Sequence, residues 1–277
     1  MNEKPSVAPY RGKIKGLVAD WAGTTIDFGS RAPASVFVEI FKRRGVTISQ
    51  QEARGPMGMS KREHIAALIQ LDSVAEQWKS EHGRLPDDSD IDAMYEQFLP
   101  LQKETLGNHC DMIPGAVETI NRCRERGIAI GSSTGYTREL MDVVAPAAKE
   151  QGYAPDAILC ADDVPNGRPA PWLIYLAAMK MNVYPMAAMV KIDDTTVGIE
   201  AGRNAGTWTV GISATGNQIG ISQKEYEGLS ADEKNGYLET ARQQYEDAGA
   251  HFVIDSIANL LPILDEIESR LAAGESP

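Results

Sequence analysis

The sequence predicts an α/β protein in which a Rossmann-like parallel sheet forms the core and a helical cap domain is inserted after the first strand. Short apolar runs recur along the chain with helical stretches between them, an alternation typical of a parallel sheet covered on both faces. The stretch 34–107, by contrast, shows helical periodicity and no strand-like run. The predicted strands are residues 17–19, 128–133, 157–161, 189–193, 208–212 and 251–254.

The first predicted strand ends in a carboxylate. Residues 17–19 form a short apolar, partly β-branched run typical of a buried strand, and Asp20 follows it, ahead of a turn of small residues at 22–24. A carboxylate at the carboxyl end of a central strand points into the crevice where open α/β sheets bind ligands. Asp20 is therefore a candidate site residue. The alternative is an aspartate that only caps a turn.

The predicted cap begins with an amphipathic helix. Four apolar residues between 36 and 41 share one helical face, and Gly45 follows a basic stretch as a stop signal. Residues 28–33 form the predicted hinge, and further helical patterns run near 61–70, 73–80 and 90–105. The predicted domains are therefore a catalytic core of residues 1–28 and 112–277 and a cap of residues 29–111.

The second core strand ends in hydroxyl side chains. Thr134 and Gly135 follow this strand, and a helix is predicted to start near Thr137. Free backbone N–H groups at a helix start, with a threonine beside them, bind phosphate-like anions. The alternative is an ordinary helix N-cap.

A single cation, Arg168, lies in the turn that follows the third core strand. Prolines on either side hold the backbone of this loop, so that Arg168 is placed to face a phosphoryl group. The alternative is an ordinary exposed loop arginine.

Two adjacent carboxylates, Asp193 and Asp194, end the next strand. Adjacent carboxylates repel each other unless a cation neutralises them, and Mg²⁺ is a hard cation that prefers oxygen ligands. The pair therefore predicts a magnesium site beside Asp20. A solvated acidic turn is the alternative.

A lysine in the cap has the features of a nucleophilic amine. Ser60 and Glu63 fit a capping box, which places Lys61 in the first turn of a helix whose positive end lowers the pKa of an amine. Lys61 shares one helical face with His64 and two apolar residues, so it is predicted to turn inward, where desolvation favours the neutral form. The alternative is a surface lysine whose apolar stem lies along the helix.

Composition limits the classes of partner. The 277 residues carry a formal net charge of −12, which argues against nucleic acid or an anionic membrane as partner. Cys110, Cys123 and Cys160 lack metal-like spacing and are interpreted as reduced thiols of a cytoplasmic protein. No apolar run approaches the ~20 residues of a membrane span. The first ten residues, which lack a signal-peptide core, are interpreted as a loose leader.

These features occur in a set order: aspartate, hydroxyl, loop cation, paired carboxylates. The order resembles the haloacid dehalogenase-like superfamily of phosphotransferases, over nearly all of the sheet domain. In that superfamily the first aspartate attacks phosphorus, and Mg²⁺ screens the two anions. The resemblance implies that Asp20 is the nucleophile and that Thr134 holds the phosphoryl oxygens. Arg168 stands where many members use lysine.

Ala22 is a departure from that superfamily. Most of its phosphatases carry a second aspartate at this position, which protonates an alkoxide leaving group. An ordinary phosphate-ester hydrolase would lack its acid here. A neutral Lys61 offers another route, because an imine formed with an aldehyde accepts electrons as a C–P bond breaks. The carbon then leaves as an enamine, and no alkoxide needs a proton.

This combination closely resembles the phosphonoacetaldehyde hydrolase family, the phosphonatases. The matching stretches lie in both the cap and the core, at residues 20–25, 56–64, 134–138, 162–169 and 204–211. The resemblance implies cleavage of phosphonoacetaldehyde to acetaldehyde and phosphate, as in breakdown of 2-aminoethylphosphonate. It also implies a homodimer joined through the caps.

The same resemblance implies a role for each matching residue. Lys61 forms the Schiff base, with His64 and Met57 close to it, His64 as a candidate for assisting proton transfer. The phosphonyl group is lined by Thr134, Gly135, Tyr136 and Arg168. Mg²⁺ is held by Asp20, the backbone carbonyl of Ala22, Asp194 and, as the second acidic partner, Asp193 directly or through water.

One position departs from the family itself. Some members place a further aspartate four residues after the one matching Asp194, where this chain has Gly198. Two other functions remain open at this point. One is another capped enzyme of the superfamily, such as a sugar-phosphate phosphatase or a phosphomutase, against which Ala22 argues. The other is a catalytically silent binding or scaffold protein, against which the presence of Asp20, Lys61 and Asp194 argues.

Overall fold

A computed structural model describes residues 8–277 and confirms the predicted α/β fold. The strands are β1 Gly16–Ala19, β2 Ala129–Ser133, β3 Ala157–Leu159, β4 Met189–Asp193, β5 Trp208–Ile212 and β6 Phe252–Ile254. They form one parallel sheet in the order β3-β2-β1-β4-β5-β6. Residues 1–7 of the predicted core, and with them most of the predicted leader, lie outside the described residues.

The helices alternate with the strands after residue 112, as the sequence predicts. β3 is shorter than expected, because the chain turns into a 3₁₀ helix at Ala161–Asp163. The helices are α1 Arg31–Lys42, α2 Gln50–Arg54, α3 Lys61–Ile69, α4 Asp72–His82, α5 Asp88–Leu106, α6 Ala116–Glu125, α7 Arg138–Glu150, α8 Trp172–Met181, α9 Thr196–Ala205, α10 Gln223–Gly228, α11 Ala231–Asp247 and α12 Leu260–Ala273.

The first strand of the chain lies inside the sheet, with neighbours on both sides. Ala19 is opposite Ser132 of β2 on one side and opposite Ile192 of β4 on the other. All four residues of β1 are buried, as expected for a strand covered by helices on both faces. The strand order reverses between β1 and β4, and ligands bind in the crevice at such a switch point. The residues that follow these strands therefore meet in that crevice.

Helices α1 to α5 have a hydrophobic core of their own. Phe37, Phe41, Leu68, Trp78 and Phe98 belong to one buried cluster that these helices share, separate from the clusters around the sheet. From this separation we propose residues 29–111 as the cap domain and residues 1–28 and 112–277 as the core. Helix α2 was not predicted, since five residues are too few to show a helical period.

The predicted hinge is only partly a loop. Helix α1 already begins at Arg31, while Asp27, Gly29 and Ser30 just before it have positive φ values of 53°, 80° and 47°. The Asp27 carboxylate accepts a hydrogen bond from Ala32 N at 2.9 Å. It also lies 3.0 Å from Nδ1 of His109, in the segment by which the chain returns from the cap to the core. The two chain segments that join cap and core are therefore linked to each other.

The stretch 214–250 begins with a loop that is buried at residues 214–217 and continues in the surface helices α10 and α11. Only Ala241 and Tyr245 of α11 are buried, and the Tyr245 hydroxyl donates to the backbone oxygen of Asp194 at 2.6 Å. In residues 8–277, no helix is both long and apolar enough to cross a membrane.

Candidate active site

Three carboxylates meet at the switch point of the sheet. Asp20 directly follows β1, Asp193 is the last residue of β4, and Asp194 comes next. One oxygen from each of them lies within 4.8 Å of the other two, and all three side chains are buried. The solvated acidic turn considered from the sequence is therefore wrong for this pair of aspartates.

Asp194 has hydrogen bonds but forms no ion pair with a basic side chain of residues 8–277, although Arg54 and Arg168 are near enough for their charges to act on it. Its Oδ2 accepts from Asn217 N at 2.8 Å and its Oδ1 accepts from Thr24 Oγ1 at 3.1 Å. Burial, followed by the charges of Asp20 and Asp193, raises the pKa of the Asp194 carboxyl well above its ordinary range. A buried carboxylate in this position calls for a positive charge, and an all-oxygen donor set fits a hard divalent cation.

Arg168 is buried against the Asp20 carboxylate, not exposed on its loop. One guanidinium nitrogen donates to Asp20 Oδ1 at 2.8 Å and also to the backbone oxygen and hydroxyl of Ser133. The other lies 3.1 Å from Asp193 Oδ2. Burial alone would lower the pKa of Arg168, but Asp193 and Asp20 outweigh it and raise that pKa. Arg168 is therefore a permanent cation fixed beside Asp20.

Lys191 is a second buried cation, which the sequence analysis did not single out. Its Nζ lies 2.7 Å from Asp193 Oδ2 and donates to Ser133 Oγ at 3.1 Å. Burial lowers the pKa of Lys191, with Asp193 opposing that shift. The signal was present in the sequence, because a charged residue inside a buried strand needs a partner.

Lys61 points inward from the first turn of α3. Ser60 is the N-cap, and its hydroxyl accepts from Glu63 N. Only 3% of Lys61 is exposed, and its Nζ lies 4.9 Å from the ring centroid of Tyr136 and 5.7 Å from that of Phe37. Burial lowers the pKa of the amine to about 7, although Asp20 acts in the opposite direction. A large share of the amine is therefore neutral near neutral pH.

The cap lysine and the core aspartate line one small cavity. The room that it offers to a water-sized sphere is about 20 Å³, and its wall includes most of the residues predicted for the site. The lining residues are Asp20, Ala22, Ser30, Pro33, Met57, Gly58, Lys61, Thr134, Gly135, Tyr136 and Thr195. The cavity is thus formed jointly by the cap and by the ends of β1 and β2.

The turn after β2 lies against the cap. Thr134 Oγ1 accepts from Tyr136 N at 3.1 Å, and the buried Tyr136 hydroxyl has no hydrogen-bond partner among the described residues. A side chain on Gly135 would lie 2.5 Å from the Met59 carbonyl oxygen, so only glycine permits this close approach of cap and core. Thr137 is the N-cap of α7 without a side-chain capping bond.

His64 lies behind Lys61, inside the cap. Its ring stacks on Phe37 at a centroid distance of 3.7 Å, and its Nε2 lies 2.9 Å from the Ala53 carbonyl oxygen. Since a carbonyl only accepts, Nε2 carries the proton, and Nδ1 has no partner in the described chain. Burial and then the Lys61 charge lower the pKa of His64 well below its ordinary range. His64 is therefore a neutral imidazole that does not line the cavity.

Arg54 of α2 links the cap to the core through hydrogen bonds. It was not among the residues predicted from the sequence. Its guanidinium donates to the carbonyl oxygens of Gly29, Asn217 and Gly220. Asn217 in turn donates from its backbone to Asp194 and from its side chain to the Arg54 carbonyl. The same loop therefore contacts the cap and positions a carboxylate of the acidic cluster.

Asp194→Asn should stabilise the metal-free protein. The pKa of Asp194 is higher in the folded protein than its ordinary 3.8, so its charge destabilises the fold increasingly as the pH rises between those two values. An amide keeps the same shape, and a gain of about 1 kcal/mol raises the unfolding midpoint by about 2–4 °C. Thermal unfolding in EDTA at several pH values measures this. An unchanged midpoint together with undiminished stabilisation by Mg²⁺ would show that Asp194 is not a metal ligand.

Known proteins resemble this chain over almost its whole length. The family model of haloacid dehalogenase-like hydrolases matches residues 14–206. A phosphonoacetaldehyde hydrolase-like protein of Syntrophobacter fumaroxidans is 46% identical over 97% of each chain. The phosphonoacetaldehyde hydrolase of Paraburkholderia xenovorans is 46% identical over 95% of this chain and 99% of its own.

Solved structures also resemble this chain over almost its whole length. The crystal structure of a phosphonoacetaldehyde hydrolase-like protein from Oleispira antarctica superposes with a TM-score of 0.96, at 40% identity and with complete coverage of both chains. A β-phosphoglucomutase of Clostridium difficile superposes with a TM-score of 0.67 at 17% identity, over 94% of this chain and 99% of its own. At this identity the similarity shows that the two proteins share a fold and says nothing about activity.

Proposed function

Because the chain belongs to the phosphonoacetaldehyde hydrolase family of haloacid dehalogenase-like hydrolases, we propose that it cleaves the C–P bond of phosphonoacetaldehyde to acetaldehyde and phosphate. One observation carries the proposal. The buried, partly neutral Lys61 of the cap and Asp20 of the core line the same cavity. An amine there can activate an aldehyde, and a carboxylate there can attack phosphorus.

The first step is formation of an imine at Lys61. The neutral Nζ attacks the aldehyde carbon, a C–N bond forms, and the carbonyl oxygen leaves as water after proton transfer. The product is an iminium ion whose positive nitrogen can accept an electron pair. The rings of Tyr136 and Phe37 face Lys61 Nζ, and aromatic faces stabilise a nearby cation.

The second step is attack of Asp20 on phosphorus. Oδ1 is held by Arg168, which leaves Oδ2 for the attack. As the O–P bond forms, the C–P bond breaks and its electron pair moves into the iminium, giving an enamine on Lys61 and a phosphorylated Asp20. The second guanidinium nitrogen of Arg168 lies 3.1 Å from Asp193 Oδ2, so Arg168 acts on the phosphonyl group through its positive charge beside Asp20. Thr134 and Gly135 complete the phosphonyl site.

The third stage returns both residues to their starting form. Water attacks the phosphorylated Asp20 and releases phosphate. A proton adds to the enamine carbon, and water then cleaves the resulting imine to acetaldehyde and free Lys61. No step needs a proton at position 22, which agrees with the alanine there.

The acidic cluster fits a bound Mg²⁺. We propose Asp20, the carbonyl oxygen of Ala22 and Asp194 as its protein ligands, with Asp193 nearby. When bound, the ion neutralises the negative charges that Asp20 and the phosphonyl group bring together. The raised pKa of Asp194 supports this assignment, since the charges of Arg168 and Arg54 reach this carboxyl without outweighing its burial and its acidic neighbours.

The family also supports proposals about context. We propose a role in breakdown of 2-aminoethylphosphonate, a homodimer joined through the cap domains, and a cytoplasmic location. The three free cysteines are all buried, consistent with reduced thiols.

Borohydride added with phosphonoacetaldehyde should leave a reduced adduct on Lys61 and stop turnover. The rate of trapping should rise as the pH passes about 7, where the pKa of this amine lies. For an exposed lysine the same rise would come near pH ~10.4. Peptide mass spectrometry locates the adduct. Trapping on another lysine would exclude this mechanism. Phosphate release from phosphate esters without any adduct would favour a capped phosphatase instead.

A further inference from the structure

The guanidinium of Arg54 lies in a socket of oxygen atoms at the boundary between cap and core. One of its terminal nitrogens donates to the carbonyl oxygens of Gly29 and Ser30, at 2.9 and 3.2 Å. The same nitrogen donates to the backbone and side-chain oxygens of Asn217, at 3.1 and 3.2 Å. The other terminal nitrogen donates to the Gly220 carbonyl oxygen at 3.1 Å. The hinge and the loop after β5 therefore form the socket together.

The backbone of the socket is fitted closely to the guanidinium. Gly220 has a φ of +67°, and a Cβ added to it would lie 2.8 Å from Arg54 Nε and 3.0 Å from its Cζ. The hinge packs on the same loop, since Gly29 N donates to the Thr215 carbonyl oxygen at 2.8 Å. A Cβ on Gly29 would lie 2.2 Å from the Ile221 carbonyl oxygen. A side chain at either glycine would therefore disturb the socket.

Arg54 stands immediately before the segment that forms the cap's part of the cavity. It is the last residue of α2, and only residues 55–60 separate it from Lys61 at the start of α3. This segment begins with a turn in which Met57 N donates to the Arg54 carbonyl oxygen at 3.1 Å. Met57 and Gly58 line the cavity together with Lys61. Anchoring Arg54 to the core therefore restrains the whole segment at the cavity.

All the oxygens of the socket are neutral. Arg54 forms no ion pair within residues 8–277, and burial lowers the pKa of its guanidinium, with the charges of Asp27 and Asp194 opposing that shift. Water can replace neutral acceptors when cap and core separate, whereas breaking a buried ion pair leaves an uncompensated charge. The contact is therefore suited to a boundary that opens and closes.

We propose that Arg54 is a positioning residue, whose guanidinium in this socket holds the cap against the core and keeps Lys61 in the cavity beside Asp20. The part that concerns turnover rests on the proposed function, while the protection of Lys61 does not. Without the guanidinium, the cap should be open for a larger share of the time. Helices α1 to α5 should keep their fold meanwhile, because Arg54 is not part of their hydrophobic core.

Acetylation of lysines by acetic anhydride at one fixed pH tests the proposal without substrate or metal. The cavity has room for little more than a water molecule, so the reagent reaches Lys61 only when the cap is open. Peptide mass spectrometry gives the rate at Lys61 relative to that at the exposed Lys79. In Arg54→Met this ratio should rise at least about tenfold, because hydrogen bonds from a charged group are lost. An unchanged ratio would overturn the proposal.

The matched control for the side chain is Arg43→Met. Arg43 lies in the same domain and pairs with Glu39 at 2.8 Å, inside the cap. This variant should leave the labelling of Lys61 unchanged. An equal rise in Arg43→Met and Arg54→Met would overturn the proposal, since any loss of charge from the cap would then act alike.

A second variant disturbs the socket and leaves Arg54 in place. Gly220→Ala should raise the labelling of Lys61 as Arg54→Met does, since the new methyl group displaces the guanidinium. Gly127→Ala is its control, because Gly127 also has a positive φ, +76°, but nothing lies within 4 Å of an added Cβ. Both socket substitutions act on one contact, so the double variant should label no faster than the faster single variant. Effects that multiply would overturn the proposal.

Amide hydrogen exchange separates opening of the cap from its unfolding. In Arg54→Met the amides of α1 and α5 should exchange as slowly as in the parent, because these helices share the cap's own core. Faster exchange throughout both helices would mean that the cap unfolds. Arg54 would then have only a structural role, contrary to the proposal.

The rate of phosphate release is the last readout. It should fall at least about tenfold in Arg54→Ala and recover in part when dilute guanidinium chloride is added, since the free ion fits the same oxygens. Turnover of Arg54→Ala equal to that of the parent would overturn the part that concerns turnover. If the parent itself releases no phosphate, the proposed function fails, while the labelling of Lys61 still decides whether Arg54 holds the cap.

Discussion

Asp20→Asn should lower turnover by at least about 10³-fold while Lys61 still forms its imine. The amide keeps an oxygen for Arg168 but is no nucleophile, so no bond to phosphorus forms. The imine step needs only the amine and the aldehyde. Phosphate release measures the loss, and borohydride trapping followed by peptide mass measures the step that survives.

A matched control for Asp20 is Asp247→Asn on the exposed face of α11, which should keep full activity. Thermal unfolding of both variants shows whether the fold is retained. Turnover of Asp20→Asn within tenfold of the parent would mean that another group attacks phosphorus. If a folded Asp20→Asn protein no longer forms the adduct, Asp20 takes part in imine formation at Lys61 as well as in the attack on phosphorus.

Lys61→Met should abolish both turnover and trapping, with at least about a 10³-fold fall in kcat. Methionine fills the space of the neutral amine without a nucleophile. The fold should tolerate it, because the pKa of Lys61 is lowered from 10.5 to about 7 by burial. The unfolded chain binds the proton more tightly, so the parent protein gains stability as the pH rises from about 7 towards 10.5. Lys61→Met should lack that gain.

The control for Lys61 is Lys79→Met, an exposed lysine on α4 of the same domain. It should retain turnover, trapping and the pH dependence of stability. Denaturant unfolding between pH 7 and 10 compares the three proteins. A Lys61→Met protein that still traps substrate would place the reactive amine elsewhere, for example at the buried Lys191.

The sheet and the helical insert were predictable because the spacing of apolar residues along the chain is enough to indicate strands and helices. Strand β1 is buried on both faces, so it is a continuous run without polar side chains, and α1 shows a clear apolar face. Polar residues at the ends of such strands stand out. Asp20, Thr134 and Asp194 were found in this way, and the structure brings them to one edge of the sheet.

The charge balance of the site was not predictable. Arg54 lies in a five-residue helix and shows no pattern of its own, and Lys191 stands out in the sequence only as a charge inside a buried strand, without any sign of which residue pairs with it. Their partners, Asp193 and Asn217, are assigned only by three-dimensional contacts. Spacing along the chain could suggest that carboxylates gather here, but not which cation each one has.

The position of β1 at the centre of the sheet affects how the chain must fold. Gly16 pairs with Ala129 and Met189, so β1 leaves the ribosome long before its two partner strands are synthesised. Loop-closure entropy rises slowly with length, about 0.6 kcal/mol per doubling, so the inserted helices affect equilibrium stability little. Contacts of such long sequence separation slow folding, however, and leave an apolar strand exposed meanwhile. The helical insert, whose contacts are local, can form while the sheet is still incomplete.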